Sequence, residues 1–299
     1  MLIVLCRDPL EPSLPDRAFR SEVAAIERLG LPYVLIDHDA LVRCDPARAV
    51  RRVPDRDEPV LAAYRGWMVT PPQYRGLYKS LAMKNIRLIN NPEQYRHGHH
   101  LPENYPVLRG HTPRSVWLTG DLGLDRIMEA LAPFGDAPVI VKDFVKSRKH
   151  EWAEACFIPS AADRGAAERV VGRFLELQGE DLNEGLVFRQ YVEFEPVGVH
   201  PRSGMPLTEE YRIFRLDGVP ISWAPYWDGA AYKDTEPPIE RFADVAAAVR
   251  SRFFTMDVAR RRDGDWMIVE LGDGQVSGLP SDGVAGPFYE ALARAWPDA

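Results

Sequence analysis

Short, unbroken apolar runs that alternate with amphipathic stretches limit what this chain can fold into more than any other feature. Leu2–Cys6 is apolar throughout, and after a Pro-rich loop residues 16–30 place Phe19, Val23, Ile26 and Leu29 three to four positions apart, ahead of Gly30. That spacing buries one stripe of a helix, and the glycine supplies its C-terminal stop. Tyr33–Ile36 is a second apolar run, and a strand apolar on both faces fits a parallel sheet covered on both sides. The opening 40 residues therefore read as a βαβ unit. The pattern returns with residues 60–64, a helix after Pro71-Pro72 carrying Tyr74, Leu77, Tyr78 and Leu81, and a strand at 86–89. A small α/β domain over residues 1–90 is expected.

Residues 91–113, rich in His, Pro, Asn and Gly, read as a linker made of a short helix and a connecting loop. Beyond it the chain predicts a helix at 122–132, strands at 138–144 and 155–158, a helix at 163–178 and a strand at 186–192. The last third predicts strands at 211–216 and 220–224 and a helix at 237–250. Strands at 254–259 and 266–271, joined by a turn at Asp263-Gly264-Asp265, and a helix at 287–295 complete it. The fold class is α/β with α+β lobes, divided as 1–90, 91–113, 114–192 and 193–299.

Composition narrows the function. With 37 Lys+Arg against 44 Asp+Glu the formal charge is −7, which argues against non-specific nucleic-acid binding. No apolar run approaches the roughly 18 residues needed to cross a bilayer. Cys6, Cys44 and Cys156 are scattered and lack CxxC spacing, so neither a disulfide framework nor a cysteine zinc site is expected. The first apolar run has no basic flank and ends at Arg7-Asp8-Pro9, as a buried strand does rather than a signal peptide. A cytoplasmic location is the expectation.

Two groups of residues carry chemistry. In residues 139–150 an apolar strand delivers Lys142 into a cationic loop with Lys146, Ser147, Arg148 and Lys149. A charge emerging from a buried strand is costly unless it meets an anion, and the loop cations can close over that same anion. A solvated loop with Lys142 paired to a carboxylate is the plainer alternative. Near the C-terminus, Asp257 and Glu270 lie on consecutive apolar strands around a tight turn, with Asp273 just beyond. Paired carboxylates suit Mg²⁺ shared with phosphates, although Arg260 or Arg212 could pair with them instead. Neither GxxxxGK[ST] nor GxGxxG is present, which disfavours a P-loop NTPase, a protein kinase and a Rossmann dehydrogenase.

Through Lys142-Asp143-Phe144-Val145-Lys146-Ser147, Tyr211-Arg212-Ile213-Phe214 and Glu270-Leu271-Gly272-Asp273-Gly274-Gln275 the chain resembles the ATP-grasp superfamily over most of its length. The resemblance implies an ATP-grasp fold, with a pre-ATP-grasp domain at 1–90, a central lobe with a covering loop at 114–192, and a C-terminal lobe with the metal site at 193–299. It implies that Lys142 contacts the α and β phosphates and that the 146–149 loop covers the triphosphate. Gln190, Tyr191 and Val192 would read adenine, Glu193 or Glu195 would approach the ribose, and Arg212 would reach the γ-phosphate or an acyl phosphate. Asp257 and Glu270 would hold Mg²⁺. The family's usual metal motif has Asn two residues after the glutamate, where this chain has Gly272, so Asp273 or a water becomes the expected third ligand. The phosphate lysine that commonly precedes the covering loop is also missing, and Arg96, Arg109 or Arg114 are its possible substitutes.

Arg65, directly after an apolar strand, would sit at the carboxyl edge of the first sheet, where open α/β domains bind ligands. It is a candidate anchor for an acceptor carboxylate or phosphate, or else a surface arginine at a helix. His97, His99, His100 and His111 lack the companion spacing of a zinc site. Trp223, Tyr226 and Trp227 could stack on a substrate or belong to a core. The function expected is an ATP- and Mg²⁺-dependent carboxylate-amine ligase acting through an acyl phosphate. The alternatives are a kinase on the same scaffold, a non-catalytic ATP-binding protein and, least favoured, a nucleic-acid end-modifying ligase. Expected partners are small-molecule or peptide carboxylates and amines, with no nucleic acid and no membrane, and a homodimer stays open.

Overall fold

The computed structural model describes residues 1–232 and 236–297. Its first sheet is parallel, in the order β2-β1-β3-β4, from β1 (Leu2–Cys6), β2 (Tyr33–Ile36), β3 (Val60–Arg65) and β4 (Ile86–Leu88). Alternation decides which side chains go where. Leu2, Val4, Ala62 and Tyr64 pack against Tyr74, Leu77 and Leu81 of the helix Pro71–Ala82. Ile3, Leu5, Leu61 and Ala63 face Phe288, Tyr289 and Leu292 of the last helix, Ala285–Ala295. The end of the chain thus closes a sheet made at its beginning.

Residues 91–113 hold two helices, Pro92–His99 and Leu101–Leu108, where a single helix and a loop were expected. Asn91 explains the first: its side chain accepts from the Gln94 N–H at 2.8 Å, Gln94 accepts from the Asn91 N–H at 2.9 Å, and Pro92 opens the first turn.

The second sheet is antiparallel, in the order β5-β8-β6-β7, from β5 (Ser115–Thr119), β6 (Val139–Asp143), β7 (Phe157–Ile158) and β8 (Gly185–Gln190). Val139, Val141, Leu186 and Phe188 pack beneath the helices Leu124–Leu131 and Arg164–Gln178, so Ile140, Lys142, Val187 and Arg189 face the other way. A hairpin of β9 (Pro196–Val199) and β10 (Pro206–Thr208) leads to the third sheet. That sheet has the order β12-β11-β13-β14, from β11 (Glu210–Leu216), β12 (Val219–Pro225), β13 (Phe253–Arg260) and β14 (Trp266–Asp273). The helix expected over 237–250 is a 3-10 turn, Ile239–Phe242, followed by a helical stretch, Ala243–Ala248.

Tyr211, Ile213, Met256, Val258 and Leu271 form a core on one face of this third sheet. The opposite face is split. Phe214, Leu216 and Phe253 lie under the C-terminal helix, while Glu210, Arg212, Asp257 and Glu270 continue the same face into a cleft opposite Lys142. Among the described residues no helix is long and apolar enough to cross a membrane.

Candidate active site

Lys142 and Glu270 tie the second and third sheets together across the cleft. The lysine is almost fully buried, and its Nζ lies 3.2 Å from Glu270 Oε2, while Glu270 keeps 35% of its side chain open. Burial alone would raise the Glu270 carboxyl. Lys142, Lys149, Arg212 and Arg189 outweigh it and bring the group down to about 2. Beside it, Asp257 pairs with Glu270 in the strand register and receives both Arg212 Nε at 2.9 Å and Arg212 Nη2 at 2.6 Å. Burial pushes Asp257 up against the pull of Arg212, with Glu270 adding to the rise.

Glu210 is the residue of this face that sequence reasoning missed. It stands two positions before Arg212 on β11, buried and on the cleft side. Burial first, then the Asp257 carboxylate, push it up to about 8. Three carboxylates on one sheet face, one of them driven toward protonation, form a donor set that fits a divalent cation shared with phosphates. Among the described residues no ready-made cluster of three metal-type side chains exists, since Asp257 and Glu270 are each held by a cation. A metal would therefore be bound together with the nucleotide rather than by a dedicated cage.

Two cavities adjoin at this point. One, of about 160 Å³, is walled by Ile140, Trp152, Tyr191, Phe194 and Met205 and reaches Lys142. The other, of about 290 Å³, holds Met68, His99, Lys146, Arg212 and Ser277. Ser147, Lys149, Tyr226 and Glu270 line both. Lys149 Nζ is 3.0 Å from the Tyr226 hydroxyl and 4.9 Å from the ring centres of Tyr226 and Trp227, which hold the loop cation in place. The indole N–H of Trp227 is buried with no acceptor among the described residues, which leaves a donor for a ligand in the first cavity. Trp223 lies outside both cavities, edge-on to Tyr211 at 5.9 Å.

Asp143 sets the loop conformation. One of its oxygens accepts from the N–H groups of Val145 and Lys146, and the other from Gln178 and Asn183 at 2.8 Å each. The loop therefore folds back on β6, with Ser147 bridged to Lys142. Arg148 turns away from the cleft, where its guanidinium bonds Gln178 Oε1 at 2.6 Å and the Leu177 carbonyl, so the expectation that it covers phosphate is corrected. Arg189, also overlooked, supplies a further cation on the Lys142 face: buried, it bonds Thr112 Oγ1 at 2.6 Å and the Val269 carbonyl. A charge inside an apolar strand was its signal, the same one that marked Lys142. None of Arg96, Arg109 and Arg114 lines either cavity.

At the hinge, Gln190, Tyr191 and Val192 line the first cavity as expected. The Tyr191 N–H is already given to the Pro138 carbonyl at 2.9 Å and the Gln190 N–H to Arg114 at 2.8 Å. Among the described residues the Tyr191 carbonyl and the Val192 N–H make no hydrogen bond, an acceptor and a donor that match the edge of an adenine. Glu193 is exposed and pairs with Arg262 at 3.2 Å, and Glu195 lies outside both cavities with its backbone clipped to Arg260 and Glu209, so neither is placed at a ribose.

Two further expectations are corrected. Asp273 follows Glu270 by three positions, so the period of two turns it to the opposite face, fully buried. There it accepts from Asn90 Nδ2 at 2.6 Å and from the Gln275 N–H at 3.0 Å, and burial pushes it up to about 7. It is not a third metal ligand. Arg65 is no substrate anchor: it is 1% exposed, clasps Glu22 through Nε at 2.9 Å and Nη2 at 3.0 Å, and bonds the Ser277 carbonyl at 2.9 Å. It fastens the glycine-rich C-terminal loop to the first sheet. Gly272 explains the departure at that position, because a Cβ there would lie 2.6 Å from both Thr255 Oγ1 and Ser277 Oγ, which bond each other at 2.9 Å.

Two antiparallel sheets facing each other across a cleft of cations and carboxylates, beside a parallel α/β sheet, define a nucleotide-grasping architecture. The chain belongs to an ATP-grasp domain family, the third family of its clade, whose model matches residues 133–295, more than half of its length. Solved structures agree in fold. A RimK domain ATP-grasp protein from Sphaerobacter thermophilus DSM 20745 aligns with TM-score 0.58 at 15% identity over 98% of this chain and 100% of that one. D-cycloserine synthetase DcsG aligns with 0.61 at 17% over 98% and 99%. The ATP-grasp ligase PsnB, solved with precursor peptide PsnA2 and AMPPNP, aligns with 0.57 at 13% over 98% and 96%. No curated protein matches the sequence.

Proposed function

We propose that this protein is an ATP- and Mg²⁺-dependent carboxylate-amine ligase. The observation that carries the reading is the shared wall of the two cavities: Ser147, Lys149, Tyr226 and Glu270 stand where a nucleotide's terminal phosphate would meet an acceptor. Adenine would occupy the first cavity against the Tyr191 carbonyl and Val192 N–H, with Lys142, Lys149 and Arg189 along the phosphates. Glu270, Asp257 and Glu210 would hold Mg²⁺, which when bound neutralises phosphate charge in such sites.

A carboxylate oxygen of the acceptor would bond to the γ-phosphorus as the bond to the β,γ-bridging oxygen breaks, releasing ADP. An amine would then form the C–N bond as the acyl C–O bond breaks, giving an amide, phosphate and a proton. Lys142 and Arg212 would stabilise charge on the transferring group, and the 146–149 loop would exclude water that hydrolyses an acyl phosphate. His99 lines the acceptor cavity with its Nε2 lacking a partner among the described residues, and burial together with His100, Lys146 and Lys142 pushes it down to about 3. It stays neutral and can accept a hydrogen bond from the incoming amine.

The likeness to PsnB, solved with a minimal precursor, Mg and ADP, and to D-cycloserine synthetase supports the reading. The test is a screen of carboxylate and amine pairs, read as ADP, phosphate and an amide by mass spectrometry. ADP with a stable phosphorylated acceptor would replace the ligase reading with a kinase, and ATP binding without ADP formation for any pair would leave only a binding protein.

A further inference from the structure

A cavity of about 400 Å³ lies against the first sheet, away from the cleft. Arg7, Arg48, Arg51, Arg52 and Arg56 all line it, and Asp37 is its sole carboxylate. That carboxylate is occupied, since it pairs with Arg7 and accepts the Ala40 N–H at 3.1 Å as a helix cap. Among the described residues Arg48, Arg51, Arg52 and Arg56 form no ion pair, and Nε of both Arg7 and Arg56 is buried without an acceptor. In a chain of net charge −7, so many unpaired guanidiniums around one cavity are costly unless an anion is placed among them.

The cavity also follows the open edge of β2, which pairs only with β1. The Ile3 N–H goes to the Pro32 carbonyl at 3.0 Å and the Arg7 N–H to the Ile36 carbonyl at 2.9 Å. That ladder turns the polar groups of Val34 and Ile36 toward β1 and leaves the N–H and C=O of Tyr33 and Leu35 pointing outward. Both residues line the cavity, which runs from Tyr33 at the start of the strand to Asp37 just past its end. An unpaired edge is a template for another strand, and here its rim is cationic rather than mixed.

We propose that this groove binds an acidic peptide segment of a partner polypeptide in extended form, added to β2 as a fifth strand of the sheet. Backbone groups of the peptide would pair with Tyr33 and Leu35, and alternate acidic side chains would meet the arginines. The length of the cavity along the strand favours a peptide over a compact anion. This site is independent of the ligase reading.

The probe is a fluorescein-labelled ten-residue peptide of alternating Glu and Val, read by anisotropy with the full chain. Binding is expected to weaken about tenfold in the Arg51→Glu/Arg52→Glu double variant, whose positions are exposed, and in moderate salt. A peptide N-methylated at every second residue should bind weakly, while thermal melting confirms that the variant is folded. No binding of the parent peptide, or equal binding of the N-methylated one, would overturn the proposal. So would tighter binding of tripolyphosphate or of a single-stranded oligonucleotide than of the peptide.

Discussion

Lys142 and Glu270, 128 positions apart, meet at 3.2 Å and join the two sheets that form the cleft. The pair is less a fastener than a nucleotide site in its resting form, because a triphosphate would take the lysine and a metal would take the carboxylate. Replacement of Lys142 by Met should abolish ATP binding at a modest stability cost. Breaking a fully buried pair costs about 3–5 kcal/mol, but Glu270 opens to the cleft and keeps other cations nearby, so ~1–2 kcal/mol is expected from urea unfolding.

Proton linkage gives a second check. Glu210 is raised from 4.5 to about 8, so between those values the folded chain holds a proton that the unfolded chain has released. Its contribution therefore lowers stability as pH rises through that window. Glu270 is lowered to about 2, so its contribution is present above 4.5 and is lost as pH falls toward 2. Binding of Mg–ATP near pH 7 should expel the Glu210 proton. Calorimetric titrations in two buffers of different ionisation enthalpy should show proton release in the wild type and none in Glu210→Gln. Equal heats in both buffers for the wild type would contradict the assignment.

Substituting Gly272 by Asn, the residue usual at that place in the family, should not improve the site. The new Cβ would press on Thr255 and Ser277 and break their 2.9 Å bond, so a loss of about 1–3 kcal/mol and weaker nucleotide binding are expected. Melting temperature and ATP titration measure the two effects.

Arg65→Met separates scaffold from substrate contact. It would strand Glu22, which is buried with only the Tyr289 hydroxyl at 2.6 Å left, at a cost of about 3–5 kcal/mol. Global destabilisation without a selective rise in KM for any acceptor is expected.

Sequence reasoning succeeded where a signal was local. Lys142 stood out as a charge ending an apolar run, and Asp257 met Glu270 because one tight turn fixed their register. Asp273 was assigned to the site from proximity along the chain, yet three steps along a strand reverse the face. Glu210 needed the β11–β13 register, which no short motif carries. Arg65 read as exposed because its partners Glu22 and the 274–277 carbonyls lie 43 and more than 200 residues away. Arg148 looked like its neighbours in sequence, and only the fold of the loop around Asp143 turns it aside.

The most direct test of the central claim is calorimetric titration of Mg–ATP into the wild type and the Lys142→Met and Glu270→Ala variants. Saturable, Mg²⁺-dependent binding by the wild type that is lost in both folded variants is the expected result. Wild-type binding left intact in both variants, or no binding by the wild type, would contradict the placement of the nucleotide site in this cleft.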